Sequence, residues 1–180
     1  CGKSTLARGV LKLIPPTDGT VAWLGKDIAK ASRKEMDGLR DDLQIVFQDP
    51  LASLDPRMSI GASIAEPLQV HQPQLSRAER EAKVREILPR VGLDPALINR
   101  YPHELSGGQN QRVGIARAMI LKPKLVICDE AVSALDVSVQ AQVVDLLIEL
   151  QKEFGLAMIF ISHDLAVVRQ ISHRVMVLYL

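Results

Sequence analysis

The first residues of the sequence combine a glycine, a lysine and two hydroxyl side chains, as Gly2-Lys3-Ser4-Thr5 directly before a helix-like run. This set suits a bound polyphosphate, because the glycine lets the backbone approach phosphate oxygens, the lysine reaches the outer phosphates, and the Ser4 hydroxyl can bind Mg²⁺. The amide groups at the start of the following helix attract the same anion. We therefore predict phosphate contacts from these four residues, although a Gly-Lys-Ser tripeptide also occurs by chance at helix starts.

Two adjacent acids follow a short apolar run further along, in Leu125-Val126-Ile127-Cys128-Asp129-Glu130. A buried strand has this composition, and its carboxyl end opens into the crevice where α/β sheets bind ligands. Asp129 could there hold Mg²⁺ through water, and Glu130 could act as general base toward an attacking water. The alternative is a strand that ends in a solvated acidic turn, which the phosphate-binding start of the sequence disfavours.

A second possible anion site lies in Leu105-Ser106-Gly107-Gly108-Gln109, which precedes another helical run. Open backbone amides and a serine hydroxyl at a helix start can bind a phosphate. One nucleotide has little use for two such ends far apart in one monomer. The economical arrangement is a head-to-tail dimer with ATP between Lys3 of one copy and Ser106 of the other. The alternative is a glycine-rich turn that only starts a helix.

The segment 105–109 resembles the signature segment of ABC ATPases, and further motifs of that family occur in the expected order. Gln48 resembles the Q-loop glutamine, residues 133–136 resemble the D-loop, and His163 resembles the switch histidine. Each also has an ordinary explanation as a strand-end residue or a helix cap, and it is their joint order that favours the family. The resemblance implies nucleotide contacts from Ser106, Gly107, Gly108, Gln109 and Asp136.

The resemblance also implies roles for the reacting groups. Gln48 would sense Mg²⁺ and the γ-phosphate and couple them to a membrane partner, and Asp136 would act across the dimer interface. His163 would bind the γ-phosphate and align the water that Glu130 activates. The predicted catalytic residues are therefore Glu130, His163 and Gln48, and the predicted Mg²⁺ ligands are Ser4, Gln48 and Asp129.

Four longer blocks, residues 47–58, 64–68, 100–105 and 133–142, resemble the ATPase subunits of oligopeptide and dipeptide importers, especially the second ATPase subunit. Importers of glutathione and nickel share much of the pattern, so the cargo stays open between these classes. The resemblance implies a peripheral subunit on the cytoplasmic face of the membrane. Its implied partners are a second ATPase subunit, two permease subunits and, indirectly, an extracytoplasmic peptide-binding protein.

Three features depart from the family pattern. Ala131 stands where proline commonly follows the catalytic glutamate, which predicts a slightly less rigid turn beside Glu130. Asn110 replaces the usual glutamine or arginine after the signature segment, at a position that we expect to tolerate solvent and to matter little. The strand before the phosphate-binding loop, an adenine-stacking aromatic and a C-terminal extension are absent from the sequence. We therefore expect Cys1 to be an interior residue, and these 180 residues alone to bind ATP weakly and hydrolyse it negligibly.

Apolar, β-branched runs alternate with helical patterns, which predicts an α/β fold with a mostly parallel sheet, of the P-loop NTPase kind that ABC ATPases have. Predicted strands cover residues 43–47, 125–128, 157–161 and 174–178. One helical face, which should cover the sheet between the second and third strands, contains Val139, Val143, Leu146, Leu147 and Leu150. Residues 19–28 predict a β-hairpin on an antiparallel side sheet.

A long middle stretch has helical signals and no clear strand. Four apolar residues repeat there at helical spacing: Val84, Ile87, Leu88 and Val91. Ser76 and Glu79 have the spacing of a capping box. We predict a helical signature subdomain over residues 57–121, inserted into a RecA-like catalytic core of residues 1–56 and 122–180.

Composition excludes several classes of protein. Hydrophobic residues make up 47% of the chain, enough for a buried sheet, and 3% aromatic residues provide few stacking platforms for single-stranded nucleic acid. The net charge of +1 gives no general attraction for polyanions, so no nucleic-acid partner is predicted. No apolar run reaches membrane-spanning length, and the two cysteines predict neither a disulfide framework nor a zinc site, with Cys128 in a buried run.

ATP hydrolysis that drives peptide import is the function we predict. A non-transport ABC ATPase, as in DNA repair or translation, is disfavoured because no coiled-coil or tandem insertion interrupts the chain. A regulatory nucleotide binder without turnover is disfavoured because Lys3, Asp129, Glu130 and His163 are all present.

Overall fold

A computed structural model describes residues 2–179, so Cys1, the residue before the predicted phosphate-binding segment, lies outside the described residues. In chain order the elements are α1 (Lys3–Val10), β1 (Ala22–Trp23), β2 (Lys26–Asp27), α2 (Arg33–Asp37), β3 (Leu43–Val46), α3 (Pro50–Ser53), α4 (Ile60–His71), α5 (Arg77–Arg90), two 3₁₀ helices (Pro95–Asn99 and Pro102–Glu104), α6 (Gly107–Met119), β4 (Leu125–Asp129), α7 (Val137–Phe154), β5 (Ala157–Ile161) and α8 (Leu165–Ile171).

Three parallel strands form the central sheet in the order β3-β4-β5, which confirms the predicted parallel sheet and three of its strands. Leu43 pairs with Leu125 and Asp129 pairs with Ile161, so the carboxyl ends of the strands lie at the same edge. Every residue of β4 is buried, as expected for a central strand that is covered on both faces. The short strands β1 and β2 form the predicted antiparallel hairpin.

The side chains of β4 alternate between the two faces of the sheet. Leu125 and Ile127 pack into a cluster with α1 and α2, whereas Val126 and Cys128 pack with α6 and α7. Cys128 is fully buried, and burial raises the pKa of its thiol to about 12. The residue therefore serves as a small hydrophobic side chain, as predicted.

The larger of the two clusters also contains the buried faces of α4, α5 and α8, so the middle helices share one continuous core with the sheet. Two predicted helical faces are confirmed by the burial of Val84, Ile87, Leu88 and Val91 near α5 and of Val143, Leu146, Leu147 and Leu150 on α7. The predicted capping box of Ser76 and Glu79 is present at the start of α5. No helix within residues 2–179 is long and apolar enough to cross a bilayer.

The prediction of a strand over residues 174–178 is wrong, because the described chain shows no strand there. Val175, Met176 and Val177 are 62%, 74% and 81% exposed. Their apolar, β-branched character suits a strand, but a strand forms only beside a hydrogen-bonded neighbour. Within residues 2–179, β5 pairs with β4 alone, so the segment has no ladder to join.

The expectation that Asn110 tolerates solvent is also wrong. Its side chain is 1% exposed, on the inner face of α6 below the turn that precedes the helix. The side-chain amide donates hydrogen bonds to the carbonyl oxygens of Pro102, Leu105 and Ser106, at 2.9, 3.3 and 3.2 Å. Asn110 therefore fixes the shape of the turn that leads into the signature segment.

We expect Asn110→Asp to lower the free energy of unfolding by about 2–4 kcal/mol, because a buried carboxylate would face three carbonyl oxygens that it cannot satisfy. Urea unfolding followed by circular dichroism would measure the loss. Asn99→Asp, the same change at an exposed position, is the matched control and should unfold at the parent concentration of urea. Equal midpoints for the two variants would contradict the role given to Asn110.

Candidate nucleotide-binding site

The start of α1 provides the candidate phosphate-binding end. Gly2 precedes the helix with a φ of 77°, in the left-handed region that favours glycine. Lys3, Ser4 and Thr5 form the first turn, whose amide groups have no acceptor within the helix and can bind an anion. Ala7, one turn further on, is buried in the cluster that also contains Leu125 and Ile127 of β4, so α1 is held against the sheet.

A hydrogen bond joins this helix start to the end of β4. Ser4 Oγ donates to Asp129 Oδ1 at 2.7 Å, across 125 positions of the sequence. Asp129 is 4% exposed, so the hydroxyl is bonded to a buried carboxylate. The structure thus brings together two of the three predicted Mg²⁺ ligands, and both offer the oxygen atoms that Mg²⁺ prefers.

Glu130 follows β4 in a left-handed backbone conformation, with a φ of 50°. Such a conformation costs a non-glycine residue about 1–3 kcal/mol and is concentrated at functional sites. The Glu130 amide donates to the carbonyl oxygen of Ile161 at 3.0 Å, which continues the bonding between β4 and β5 by one residue. His163 Nδ1 lies 3.7 Å from Glu130 Oε1, beyond hydrogen-bond distance, so the predicted base and histidine face each other across the sheet edge.

Gln48 is connected to the same edge through Ser133, which the sequence indicated only as part of the D-loop segment 133–136. The Gln48 side-chain amide donates to Ser133 Oγ at 3.3 Å, and Ser133 Oγ donates to the Glu130 carbonyl oxygen at 3.0 Å. The Ser133 amide also donates to that carbonyl oxygen, which closes the turn that contains Ala131. The sequence signal that could have identified this role of Ser133 is a hydroxyl side chain three residues after Glu130. Whether Ala131 loosens this turn stays a prediction.

The signature segment 105–109 begins α6 with a capping box. Ser106 Oγ accepts from the Gln109 amide at 3.2 Å, and the Ser106 amide donates to Gln109 Oε1 at 2.9 Å. Gly107 and Gly108 fill the first turn, where helix geometry leaves amide groups without an intrahelical acceptor. The predicted helix start is confirmed, and the predicted nucleotide contacts there stay a prediction.

The two predicted anion-binding ends, at α1 and at the start of α6, make different contacts within one copy of the chain. No hydrogen bond among residues 2–179 joins the segment 105–109 to Ser4, Asp129 or Glu130. Asp136 lies at the N-cap of α7 and makes no side-chain capping bond there. Ser4, Gln48, Asp129, Glu130 and His163 are therefore brought to one sheet edge, whereas the side chains of Ser106 and Gln109 bond to each other's residues at the start of α6.

The signature segment packs closely against the helix that follows Asp136. A Cβ atom added at Gly108 would lie 2.5 Å from Val139 Cγ1, which is a severe overlap. At Gly107 the nearest atom to an added Cβ is Leu135 Cδ2 at 4.0 Å, an ordinary contact. Glycine is thus required at position 108 by the approach of α6 to α7, and at position 107 only a bound partner could require it.

Comparison with known proteins gives matches along the whole chain. A family model described as ABC transporter matches residues 1–133. The chain is 62% identical over 180 residues to the oligopeptide transport ATP-binding protein OppF of Haemophilus influenzae, across 100% of this chain and 54% of that protein. It is 56% identical to the glutathione import ATP-binding protein GsiA of Pectobacterium atrosepticum, across 100% of this chain and 29% of that protein. The chain thus spans about half the length of OppF and less of GsiA.

The fold is similar to that of solved ATP-binding cassettes. The dimeric, post-hydrolysis structure of the cassette MJ0796 bound to ADP and Pi has a TM-score of 0.82 and 31% sequence identity, across 93% of this chain and 72% of that one. This likeness confirms the predicted fold class, a parallel-sheet core with the helices of an ABC ATPase.

We expect Gly108→Ala to lower the free energy of unfolding by about 1–3 kcal/mol, because Val139 has a stiff side chain that cannot easily move away. Gly107→Ala, its neighbour on the same turn, should stay within about 1 kcal/mol of the parent. The double variant Gly108→Ala with Val139→Ala should recover part of the loss. A thermal unfolding series of the four proteins measures these differences, and equal effects of the two glycine substitutions would disprove the packing constraint.

Proposed function

Because the chain belongs to the ABC transporter family, we propose that it provides the ATP-binding and ATP-hydrolysing part of a subunit that drives oligopeptide uptake. The observation that carries the proposal is the hydrogen bond from Ser4 to Asp129, which joins a phosphate-binding helix start to an acidic strand end. Glu130 and His163 lie beside it, where they can act on the terminal phosphate of a nucleotide bound at α1. The identity to OppF, 62% over the whole chain, supports the peptide-transport assignment.

In this proposal α1 binds the phosphates of ATP. The backbone amides of Gly2, Lys3, Ser4 and Thr5 donate to phosphate oxygens, and the ammonium group of Lys3 stabilises their negative charge. The hydroxyl of Ser4, the amide oxygen of Gln48 and the carboxylate of Asp129 form an all-oxygen set that suits Mg²⁺, with Asp129 acting through water. When bound there, Mg²⁺ neutralises charge that develops on the phosphates.

Hydrolysis then depends on two groups at the sheet edge. The Glu130 carboxylate accepts the proton of the attacking water, and the His163 imidazole donates a hydrogen bond to a γ-phosphate oxygen. The left-handed backbone at Glu130 and its bond to Ile161 hold the carboxylate in a fixed position. Phosphoryl transfer requires mainly such positioning and charge stabilisation, since the protein forms no covalent bond with the phosphate.

A second copy, or a related ATPase subunit, completes each site in this proposal. Ser106, Gly107, Gly108 and Gln109 of one copy bind the nucleotide held by Lys3 of the other, and Asp136 acts across the interface. The bonding within one chain supports this arrangement, because Ser4 bonds to Asp129 whereas Ser106 bonds only within its own helix start among the described hydrogen bonds. The description of MJ0796 as a dimer with ADP and Pi supports it further.

We further propose that the surface beside Gln48 receives a permease subunit at the cytoplasmic face of the membrane, where a catalytic core of residues 1–56 and 122–180 meets a helical subdomain of residues 57–121. An extracytoplasmic peptide-binding protein would deliver the cargo. Glutathione import is the second candidate, and the 56% identity to GsiA supports it less than the 62% identity to OppF supports oligopeptide uptake. Uptake of labelled oligopeptides and of labelled glutathione by the assembled transporter separates the two, since each candidate predicts transport of one substrate only.

We expect Glu130→Gln to lower ATP turnover at least about a hundredfold, because an amide cannot accept the proton of the attacking water. ATP binding should remain, and the dimer should persist in the presence of Mg²⁺ and ATP. Phosphate release and light scattering on the full-length protein measure the two effects. The exposed Glu149, changed to Gln on α7, is the control and should hydrolyse ATP like the parent. Parent turnover in Glu130→Gln would show that another group is the base.

A further inference from the structure

Arg117 joins three helices with one side chain. It lies in the last turn of α6, where one guanidinium nitrogen donates to the Ser53 carbonyl oxygen at 2.7 Å and the other donates to Glu66 Oε2 at 2.7 Å. Ser53 ends α3, and Glu66 lies in α4. The side chains of Arg117 and Glu66 are 33% and 46% exposed, so water screens their ion pair, and the bond to the Ser53 carbonyl oxygen is the second contact that holds Arg117 in place. None of the roles discussed so far involves this residue.

The short helix α3 depends on contacts at both of its ends. It has four residues, and a single helical turn is not stable by itself in water. At its start, Asp49 Oδ1 accepts from the amides of Leu51 and Ala52, at 3.0 and 3.1 Å. At its end, the carbonyl groups lack intrahelical donors, and Arg117 supplies one to Ser53. Gln48 lies between the end of β3 at Val46 and this capped turn, so its position depends on α3 as well as on the sheet.

The other partner, α6, is a continuous helix that starts at the signature segment. Ser106 at its N-cap and Arg117 near its C-terminus lie roughly 16 Å apart along the axis, from the rise of an α-helix. The start of α6 is also held by the close approach of Gly108 to Val139. A rigid helix therefore has the signature segment at one end and the support of the Gln48 segment at the other.

We propose that Arg117 is a positioning residue that fixes the segment after Gln48 to α6, the helix that begins at the signature segment. Through this connection, the contact of Gln48 with Mg²⁺ and the phosphates of one nucleotide is linked to the approach of Ser106 to a second nucleotide. The inference rests on the proposed ATPase function. It adds a coupling between the two parts of each nucleotide site, the α1 end of one copy and the signature segment of the other. Arginine is required because its fork reaches acceptors on two helices at once, whereas a lysine ammonium group is a single point charge.

Arg117→Lys in the full-length protein tests the proposal. We expect folding and ATP binding to stay near the parent, turnover to fall about tenfold or more, and the Mg²⁺ concentration for half-maximal turnover to rise several-fold, because small misplacements of a site are costly. Arg112→Lys is the matched control on the same helix, where the guanidinium donates to the Val91 carbonyl oxygen at 2.8 Å, away from α3. Glu66→Gln keeps an oxygen acceptor and should resemble the parent.

Hydrogen–deuterium exchange provides a readout that does not require activity. Arg117→Lys should speed the exchange of amides in residues 48–53, and Arg112→Lys should leave it unchanged. If the parent does not hydrolyse ATP, the proposed function fails while the exchange result still decides the role of Arg117. Equal exchange in 48–53 for the two arginine variants, or equal turnover and Mg²⁺ dependence, overturns the positioning role.

Discussion

The parallel register of β4 between β3 and β5 is the constraint on which the site depends. Because β4 bonds to a strand on each side and is covered on both faces, its position leaves little freedom. Parallel strands end at one edge, so the residues that follow them meet there although they are distant in the sequence. Asp129, Glu130 and His163 are brought together in this way, and α1 adds Ser4 because its apolar face packs on the same sheet.

Two residues at this edge, Asp129 and Glu130, adopt states that are unfavourable unless neighbouring groups stabilise them. A buried carboxylate such as Asp129 is unfavourable unless donors or a cation surround it, and the described residues give it the hydroxyl of Ser4. Glu130 adopts a strained backbone that only its surroundings maintain, through bonds from the Glu130 amide to Ile161 and from Ser133 to the Glu130 carbonyl oxygen. Strained backbone held in this way by its surroundings is concentrated at functional sites.

Sequence patterns could predict those features that depend on local order. The apolar run that ends at Asp129, the capping box at Ser76 and the helical faces of α5 and α7 are properties of neighbouring residues, and the structure confirms each of them. Residues 174–178 have the composition of a strand, yet composition cannot supply a bonded neighbour. Asn110 is polar, and only the arrangement of the preceding turn explains its burial.

Contacts between distant elements were the part that the sequence could not give. The role of Ser133 requires Gln48 to come near, across 85 positions, and that of Arg117 requires α3 to lie beside the end of α6, across 64 positions. The two glycines of the signature segment illustrate the same limit. They are adjacent in the sequence and chemically identical, but only the packing of Val139 shows that Gly108 is restricted by its own chain.

In the proposed dimer, α6 is held at both ends, and this connects binding at one nucleotide site to binding at the other. The start of α6 contacts the helix that follows Asp136, and its end bonds to the turn that follows Gln48. Both neighbours lead to the edge where Glu130 lies, one through Ser133 and one directly along the chain from β4. Coupling in proteins passes through such packed elements when each can adopt only discrete arrangements. In the proposed dimer, the helix therefore connects predicted nucleotide contacts that lie at its two ends.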